Sequence, residues 1–431
     1  MSQGFSGFVI GAPRSGAGKT MVSLGLMRAL ARRGMRVASF KCGPDYIDTQ
    51  FHTCACGGRA SVNLDLYMAS RAHVADIFAR YSDGCDVAVA EGAMGLFDGY
   101  SGMEGSAADI ARTLGLPVIL VVDASSTAFS AAATIYGFRN FCPDVNVAGV
   151  IFNRAASPRH RAMLADAAKA AGVECLGFVG RRQGLQTPSR HLGLTLTARE
   201  EMERFVAEAA ETVTEGVDMD HLMEMTRIER FPVKAIVETE APRLTVAVAR
   251  DEAFSFIYPA NLDSMRRHGA RIEFFSPLRS GALPEGTDMI YLPGGYPELY
   301  ARELEANSAI RETIRDFGEK GGKILAECGG LIYLGRSIDG AAMCGLLPTV
   351  ATMEGAKLTL GYRSVRVGGM TLRGHEFHYS HVVNPDILLS VAAQTDARGQ
   401  DVATPLYRHK DTFAGYTHLY WGETDIFDLW K

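Results

Sequence analysis

"GAPRSGAGKT" (Gly11–Thr20) follows the apolar run Phe8-Val9-Ile10 and leads straight into a helical pattern. A loop that leaves a buried strand and enters a helix at Gly-Lys-Thr has a definite physical use. Backbone N–H groups of Ser15, Gly16, Ala17, Gly18 and Lys19 can converge on a phosphate, helped by the helix N-terminus. Gly16 and Gly18 let the backbone approach without a Cβ in the way. Lys19 would reach the β- and γ-phosphates, and the Thr20 hydroxyl would ligand Mg²⁺. The spacing departs from Gly-x-x-x-x-Gly-Lys-Thr, because Pro13 stands five residues before Gly18.

Outward from the loop, short β-rich runs alternate with helical segments. A helix is expected from Thr20 to about Arg33, with Val22, Leu26, Ala29 and Leu30 on one face. "MRVASFK", "CDVAVAEG", "LPVILVVD" and "VNVAGVIFN" follow, each ending at a loop rich in Gly, Asp or Asn. That alternation predicts a parallel sheet covered by helices, with ligands at the carboxyl ends of its strands. Helices are expected over about Ala198–Thr214 and Asp218–Arg227. The polar "VETEAPR" then predicts a linker at 236–243, after which "LTVAVAR", "ARIEFFS", "DMIYLPGG" and "KILAECGG" restart the pattern. The expectation is an α/β protein of two domains: residues 1–235 with the P-loop, and 244–431.

Bulk properties narrow the class. A chain of 431 residues is long for one core, and 47% apolar with 22% charged residues is ordinary for a soluble protein. A formal charge of −5 gives no reason to expect nucleic acid or an anionic membrane as partner. The opening "MSQGFSGFVIGAP" lacks a basic start and a long apolar stretch, so a cytoplasmic chain is expected. Eight cysteines over this length read as reduced thiols, most of them buried, without the spacing of a zinc site.

Two further loops lie where a γ-phosphate and its acceptor would meet. "KCGPDYIDTQFH" (Lys41–His52) follows the second strand, and "AEGAMGLFDG" (Ala90–Gly99) follows a central one. Glu91, an acid ending a buried strand beside a P-loop, is in position for a direct or water-bridged Mg²⁺ contact. Asp45, Asp48 and Asp98 read either as turn formers or as site residues. Asn153, ending "VAGVIFN", reads either as a contact to the nucleotide base or as a cap.

In the second half, "KILAECGGLIYLGRS" has the layout of strand, tight turn at Cys328, and helix opening with Gly329-Gly330. This is a nucleophile elbow with Cys in place of Ser. A helix N-terminus would lower the thiol pKa, and the Gly329 N–H would be one oxyanion donor. The "YLPGGYPE" loop offers Gly294 and Gly295 for the second donor. The base must come from far along the chain: His418, in "AGYTHLYWGE", is the first candidate, and His375 or His378, in "GHEFHYSH", the competing one.

These motifs carry a resemblance. The nucleotide loop resembles the "APxSGxGKT" form of corrin-ring a,c-diamide synthases, in the branch that holds dethiobiotin synthetase and the partition ATPases. Arg14 stands where the partition ATPases have their signature lysine. The other two loops resemble that family's "K-x-GPDYID" and "EGxMGLxDG". The Cys328 elbow with His418 resembles the class I glutamine amidotransferases, whose usual His-x-Glu acid is replaced here by Tyr420. The resemblance covers essentially the whole chain and implies glutamine- and ATP-dependent amidation of the a and c acetates of a corrinoid in cobalamin biosynthesis. Thr20, Asp45 and Glu91 would then hold Mg²⁺, and Arg14 would join the nucleotide loop. Tyr46, Asp48 and Asp98 would form a second layer on the acceptor side. L-Glutamine would supply nitrogen, and a homodimer is left open. Cobyric acid synthase shares both halves but not the two distinctive loops. Dethiobiotin synthetase lacks residues 244–431, and a partition-type ATPase module has no need of Cys328.

Overall fold

In the computed structural model, which describes residues 4–180, 196–233 and 243–431, the run around Val9 becomes β1 (Phe5–Gly11), buried along its whole length. The helix that follows the loop is α1 (Lys19–Arg32), and Val22, Leu26, Ala29 and Leu30 lie on its buried face as their spacing predicts. The chain then forms β2 (Val37–Cys42), α2 (Ile47–Ala55), β3 (Val62–Leu64), β4 (Val87–Glu91), β5 (Val118–Asp123), β6 (Val147–Asn153) and β7 (Glu174–Val179). All seven strands are parallel, in the order β3-β2-β4-β1-β5-β6-β7, and the short β8 (Arg227–Ile228) joins β1 antiparallel. From β1 the connections run first to one side of the sheet and later to the other, so the loop after β1 sits at a topological switch point. Register does the rest: Glu91 pairs with Ile10 on one side and with Lys41 on the other.

The two helices expected near residues 198–227 are Leu196–Gly216 and Met219–Met225. The longer one lies tightly on α1. A Cβ on Gly25 would stand 2.5 Å from Val213 Cγ2 and 2.6 Å from Ala209 O, so the helices approach there to a distance only glycine permits. Apart from Arg243, the linker expected at 236–243 falls outside the described residues.

The described residues divide into two compact units, the first holding nearly everything up to 233 and the second everything from 243 together with Tyr67–Ala69. In the second unit, β9 (Leu244–Ala249), β10 (Ala270–Phe275), β11 (Met289–Leu292) and β12 (Lys323–Glu327) are parallel, in the order β10-β9-β11-β12. Thr412–Gly415 extends this sheet parallel to β12. A separate antiparallel sheet contains Thr359–Val367, Met370–His378 and His418–Tyr420, with His375 paired to His418. The chain thus leaves one sheet at Gly415 and enters the other at His418, a crossing that the sequence pattern did not signal.

Gly25→Val should overpack the contact between the two helices and cost about 1–3 kcal/mol of stability. A lowered urea midpoint for the first unit's unfolding transition would register it; an unchanged midpoint would mean the helices yield at this point.

Candidate active sites

The nucleotide loop has the backbone its glycines anticipate. Gly16 has φ 76° and Gly18 φ 98°, the latter as N-cap of α1. Asn153 supports the loop: its Nδ2 donates to Ala17 O at 2.9 Å, and its Oδ1 accepts from Arg154 N at 2.9 Å. Asn153 thus buttresses the loop. Arg14 and Ser15 are exposed at the loop tip, and Arg14 Nη2 reaches Asp123 Oδ2 at 3.2 Å. Lys19 Nζ folds back onto carbonyls of the two loops, donating to Arg14 O at 3.4 Å and to Met94 O. Burial, then the neighbouring Lys41 ammonium, lowers the Lys19 pKa.

Glu91 is fully buried, and both its oxygens are held. Oε1 accepts from Thr20 Oγ1 at 2.7 Å and from Lys41 Nζ at 3.0 Å, while Oε2 lies 2.7 Å from His52 Nε2. Burial alone would push its carboxyl up, but Lys41 and the bonds from His52 and Thr20 outweigh burial and hold it below the usual range. Lys41 is correspondingly kept charged: burial works against it, and Glu91 and Asp48 more than compensate. Asp48 Oδ2 lies 2.5 Å from Lys41 Nζ, which links it to Glu91. Asp45 Oδ1 accepts from Ile47 N at 2.9 Å and Asp48 N at 2.8 Å, fastening the first turn of α2. Tyr46 is the buried N-cap residue of that helix. Asp98 Oδ2 accepts from Gly95 N at 2.9 Å, a turn-forming role, although its charge is felt at Lys19.

Among the described residues, no three His, Cys, Asp or Glu side chains are grouped to hold a metal ion. The Thr20–Glu91 oxygen pair nevertheless fits Mg²⁺, which favours hard oxygen donors and characteristically takes one or two from protein and others from phosphate and water. Lys41 and His52 were visible only as members of a quoted loop. Their roles follow from a register that sets Lys41 beside Glu91, and from α2 carrying His52 over it.

In the second unit, β12 ends at Glu327, and Cys328 adopts φ 47°, ψ −102° before a helix at Gly329–Leu334. For a residue with a Cβ this is a strained backbone, held by its surroundings. Cys328 N donates to Gly415 O at 2.8 Å, which brings His418, three residues further on, to the elbow. A Cβ built on Gly294 would stand 2.1 Å from His418 Cε1 and 3.3 Å from Cys328 Cβ. Imidazole and cysteine thus meet across a glycine that admits no side chain. The Cβ position of Gly329 lies 3.1 Å from Gly295 N, so the two glycines offered as oxyanion donors are neighbours.

One electrostatic expectation is overturned. Burial, reinforced by Glu298, pushes the Cys328 thiol up, against the lowering expected from the helix N-terminus, to which the Gly329 N–H adds only a smaller opposing effect. The helix is short and the sulfur buried. Burial, followed by His375 and His378, also drives the His418 pKa well down. The resting pair is therefore neutral thiol and neutral imidazole. His375 stacks on His418 with ring centres 5.1 Å apart and has Tyr258 OH 3.1 Å from its Nδ1. His378 instead stacks on Tyr416 and donates from Nδ1 to Ser380 O at 2.8 Å. Glu327, missed in the sequence, clamps the His418 strand: Oε1 accepts from Leu419 N at 2.9 Å and Oε2 from Tyr291 OH at 2.8 Å.

Comparison with known proteins agrees with both halves. Residues 8–194 match the CobQ/CobB/MinD/ParA nucleotide binding domain family, and residues 245–426 the CobB/CobQ-like glutamine amidotransferase domain family. The chain is 42% identical over 427 residues to a hydrogenobyrinate a,c-diamide synthase of Brucella suis, covering 96% of this chain and 98% of the relative. It is 38% identical to one of Streptomyces coelicolor (96% and 94% covered) and 40% identical to a cobyrinate a,c-diamide synthase of Salmonella typhimurium (96% and 95% covered).

Burial raises the Glu327 pKa to about 8 from an ordinary 4.5. Between those values the unfolded chain ionises at this residue and the folded chain does not, so stability falls as pH rises through the window. The slope from this one group is at most about 1.4 kcal/mol per pH unit. Glu327→Gln, which keeps an acceptor for Leu419 N–H, should flatten stability against pH between 5 and 8 in urea titrations. Parallel curves for the two proteins would show that Glu327 is already ionised when folded.

Proposed function

The chain belongs to the family of hydrogenobyrinate and cobyrinate a,c-diamide synthases, and from that premise we propose how its two sites divide the reaction. It is a glutamine-dependent ligase of cobalamin biosynthesis. Residues 1–235 form the ATP-using domain and 244–431 the glutaminase, joined through 236–243. The substrates are ATP, L-glutamine and a corrinoid whose a and c acetates become amides.

In the glutaminase, Cys328 Sγ attacks the side-chain amide carbon of glutamine. Because thiol and imidazole both rest neutral, the proton moves from Sγ to His418 as the carbon–sulfur bond forms. Gly329 N–H and Gly295 N–H receive the developing oxyanion. His418 returns the proton to the departing nitrogen, NH₃ leaves, and water cleaves the thioester to glutamate. The Cys328 elbow facing His418 across Gly294 is the single observation that carries this reading.

In the other domain, a carboxylate oxygen is a poor leaving group and phosphate a good one. The acetate therefore takes the γ-phosphoryl group of ATP as an acyl phosphate, which NH₃ attacks with release of phosphate. The Ser15–Lys19 backbone and Lys19 Nζ bind the phosphates, and Thr20 and Glu91 would hold Mg²⁺. When bound, that ion neutralises developing charge on the β- and γ-oxygens. Lys41 and His52 keep Glu91 ionised and aimed at Thr20, and Asp48 shares Lys41 with it.

Cys328→Ala should abolish glutamine-dependent amidation and retain amidation with ammonium salt, measured by product mass. Loss of both activities in a folded protein would refute the division of labour. Glu91→Gln should stop amidation from either nitrogen source, since carboxylate activation precedes both. Losing one such transition-state contact typically lowers turnover about 10²–10³-fold, and near-normal ammonia-dependent turnover would remove Glu91 from the site.

A further inference from the structure

The strands Thr359–Val367 and Met370–His378 pair with Arg363 opposite Gly374 and Gly361 opposite Glu376. Each charged residue thus faces a glycine, which leaves the guanidinium room to lean along the diagonal towards the carboxylate. A Cβ on Gly361 would stand 2.9 Å from Arg363 Nη1, at a backbone φ of +146°. Arg363 Nη2 donates to Glu376 Oε2 at 2.6 Å, and Nη1 donates to Tyr362 O at 2.8 Å. The side chains are only 9% and 0% exposed.

A buried ion pair recovers its desolvation cost only when its remaining donors and acceptors are also satisfied. Here two are left over. Among the described residues, neither Arg363 Nε nor Glu376 Oε1 has a hydrogen-bond partner. Both residues belong to the wall of one cavity of about 320 Å³, together with His378, Tyr416 and Thr404, with the two unpaired atoms buried within that wall. Its volume is at the lower end of the range for small-molecule sites, about 300–1,000 Å³. An unfilled cationic donor beside an unfilled anionic acceptor complements a ligand that carries an anion and a cation on one carbon, as an α-amino acid does. The strand also connects this cavity to the nucleophile. Glu376 and His378 both line it, and the carbonyl of the intervening Phe377 lies 4.0 Å from Cys328 Sγ.

We propose that Arg363 and Glu376 recognise the α-carboxylate and α-ammonium of glutamine in this cavity, leaving its amide end to extend to Cys328. The proposal rests on the glutaminase reading of Cys328. Arg363 Nε–H donates to the substrate carboxylate, and Glu376 Oε1 accepts from the ammonium. Both bonds are charge-assisted, and the ligand supplies the partners that the fold leaves out.

Two analogues test this on the unaltered full-length enzyme, by ammonia release: 4-carbamoylbutanoate, which lacks the ammonium, and L-glutaminamide, whose carboxylate is blocked. Each should lose roughly tenfold or more in kcat/KM relative to L-glutamine. Glu376→Gln should raise KM for L-glutamine more than it lowers kcat and should erase the discrimination against 4-carbamoylbutanoate, with amidation at saturating ammonium as the folding control. If that variant does not fold, the analogue ratios on the unaltered enzyme still decide. Equal turnover of glutamine and both analogues would overturn the proposal, as would a Glu376→Gln protein that still rejects 4-carbamoylbutanoate. Failure of the underlying reading has a different signature: Cys328→Ala would then retain glutamine-dependent ammonia release.

Discussion

A carboxylate removed from water must be held by cations and donors, and in the first unit that carboxylate is Glu91. Its two oxygens take Thr20 from the nucleotide loop's helix, Lys41 from the neighbouring strand and His52 from α2. Each partner arrives on a different element, so the sheet register, the loop and α2 must all be correct before Glu91 is satisfied. Removing one partner from such a buried ion pair typically costs about 3–5 kcal/mol, because it strands the other charge. The cluster that organises the nucleotide site is thereby also a lock on the fold around it.

The second unit solves a different problem with different means. Cys328, the proposed nucleophile, is buried. Burial pushes thiol and imidazole alike toward their neutral forms. In the proposed reaction, ionisation waits for the moment of attack, when the oxyanion donors would receive the charge. What the fold supplies instead is position: a positive φ at Cys328, a glycine at 294 close to both the Cys328 Cβ and the His418 ring, and a chain that leaves one sheet to deliver His418 to another. The Glu327 carboxyl holds that strand through Leu419 N–H, while Glu376 lies on the adjacent strand of the same sheet and Arg363 on the strand beyond it. His375 stacking and the Glu327 clamp constrain the His418 ring by packing and by backbone position.

Local information was enough for a large part of this. The alternation of β-rich runs and amphipathic segments gave the parallel sheet, and Gly16, Gly18 and Lys19 marked the loop, because positive φ and helix initiation are decided within a few residues. Cys328-Gly329-Gly330 after an apolar strand marked the elbow for the same reason. Roles that depend on which strand lies beside which were not legible. Lys41 becomes Glu91's partner only through the β2–β4 register. Asp45 and Asp98 hold turns, and Asn153 holds the loop, because a short polar side chain readily reaches the nearest backbone donor or acceptor. The sign of the Cys328 shift was likewise out of reach, since sequence names a helix N-terminus but not the depth at which the sulfur lies. The Arg363–Glu376 pair shows the limit most plainly: the two lie thirteen residues apart on a hairpin, and only the tertiary structure buries them together. Sequence determined the backbone events, which are local; the tertiary structure alone decided burial and charge pairing, which arise between segments distant along the chain.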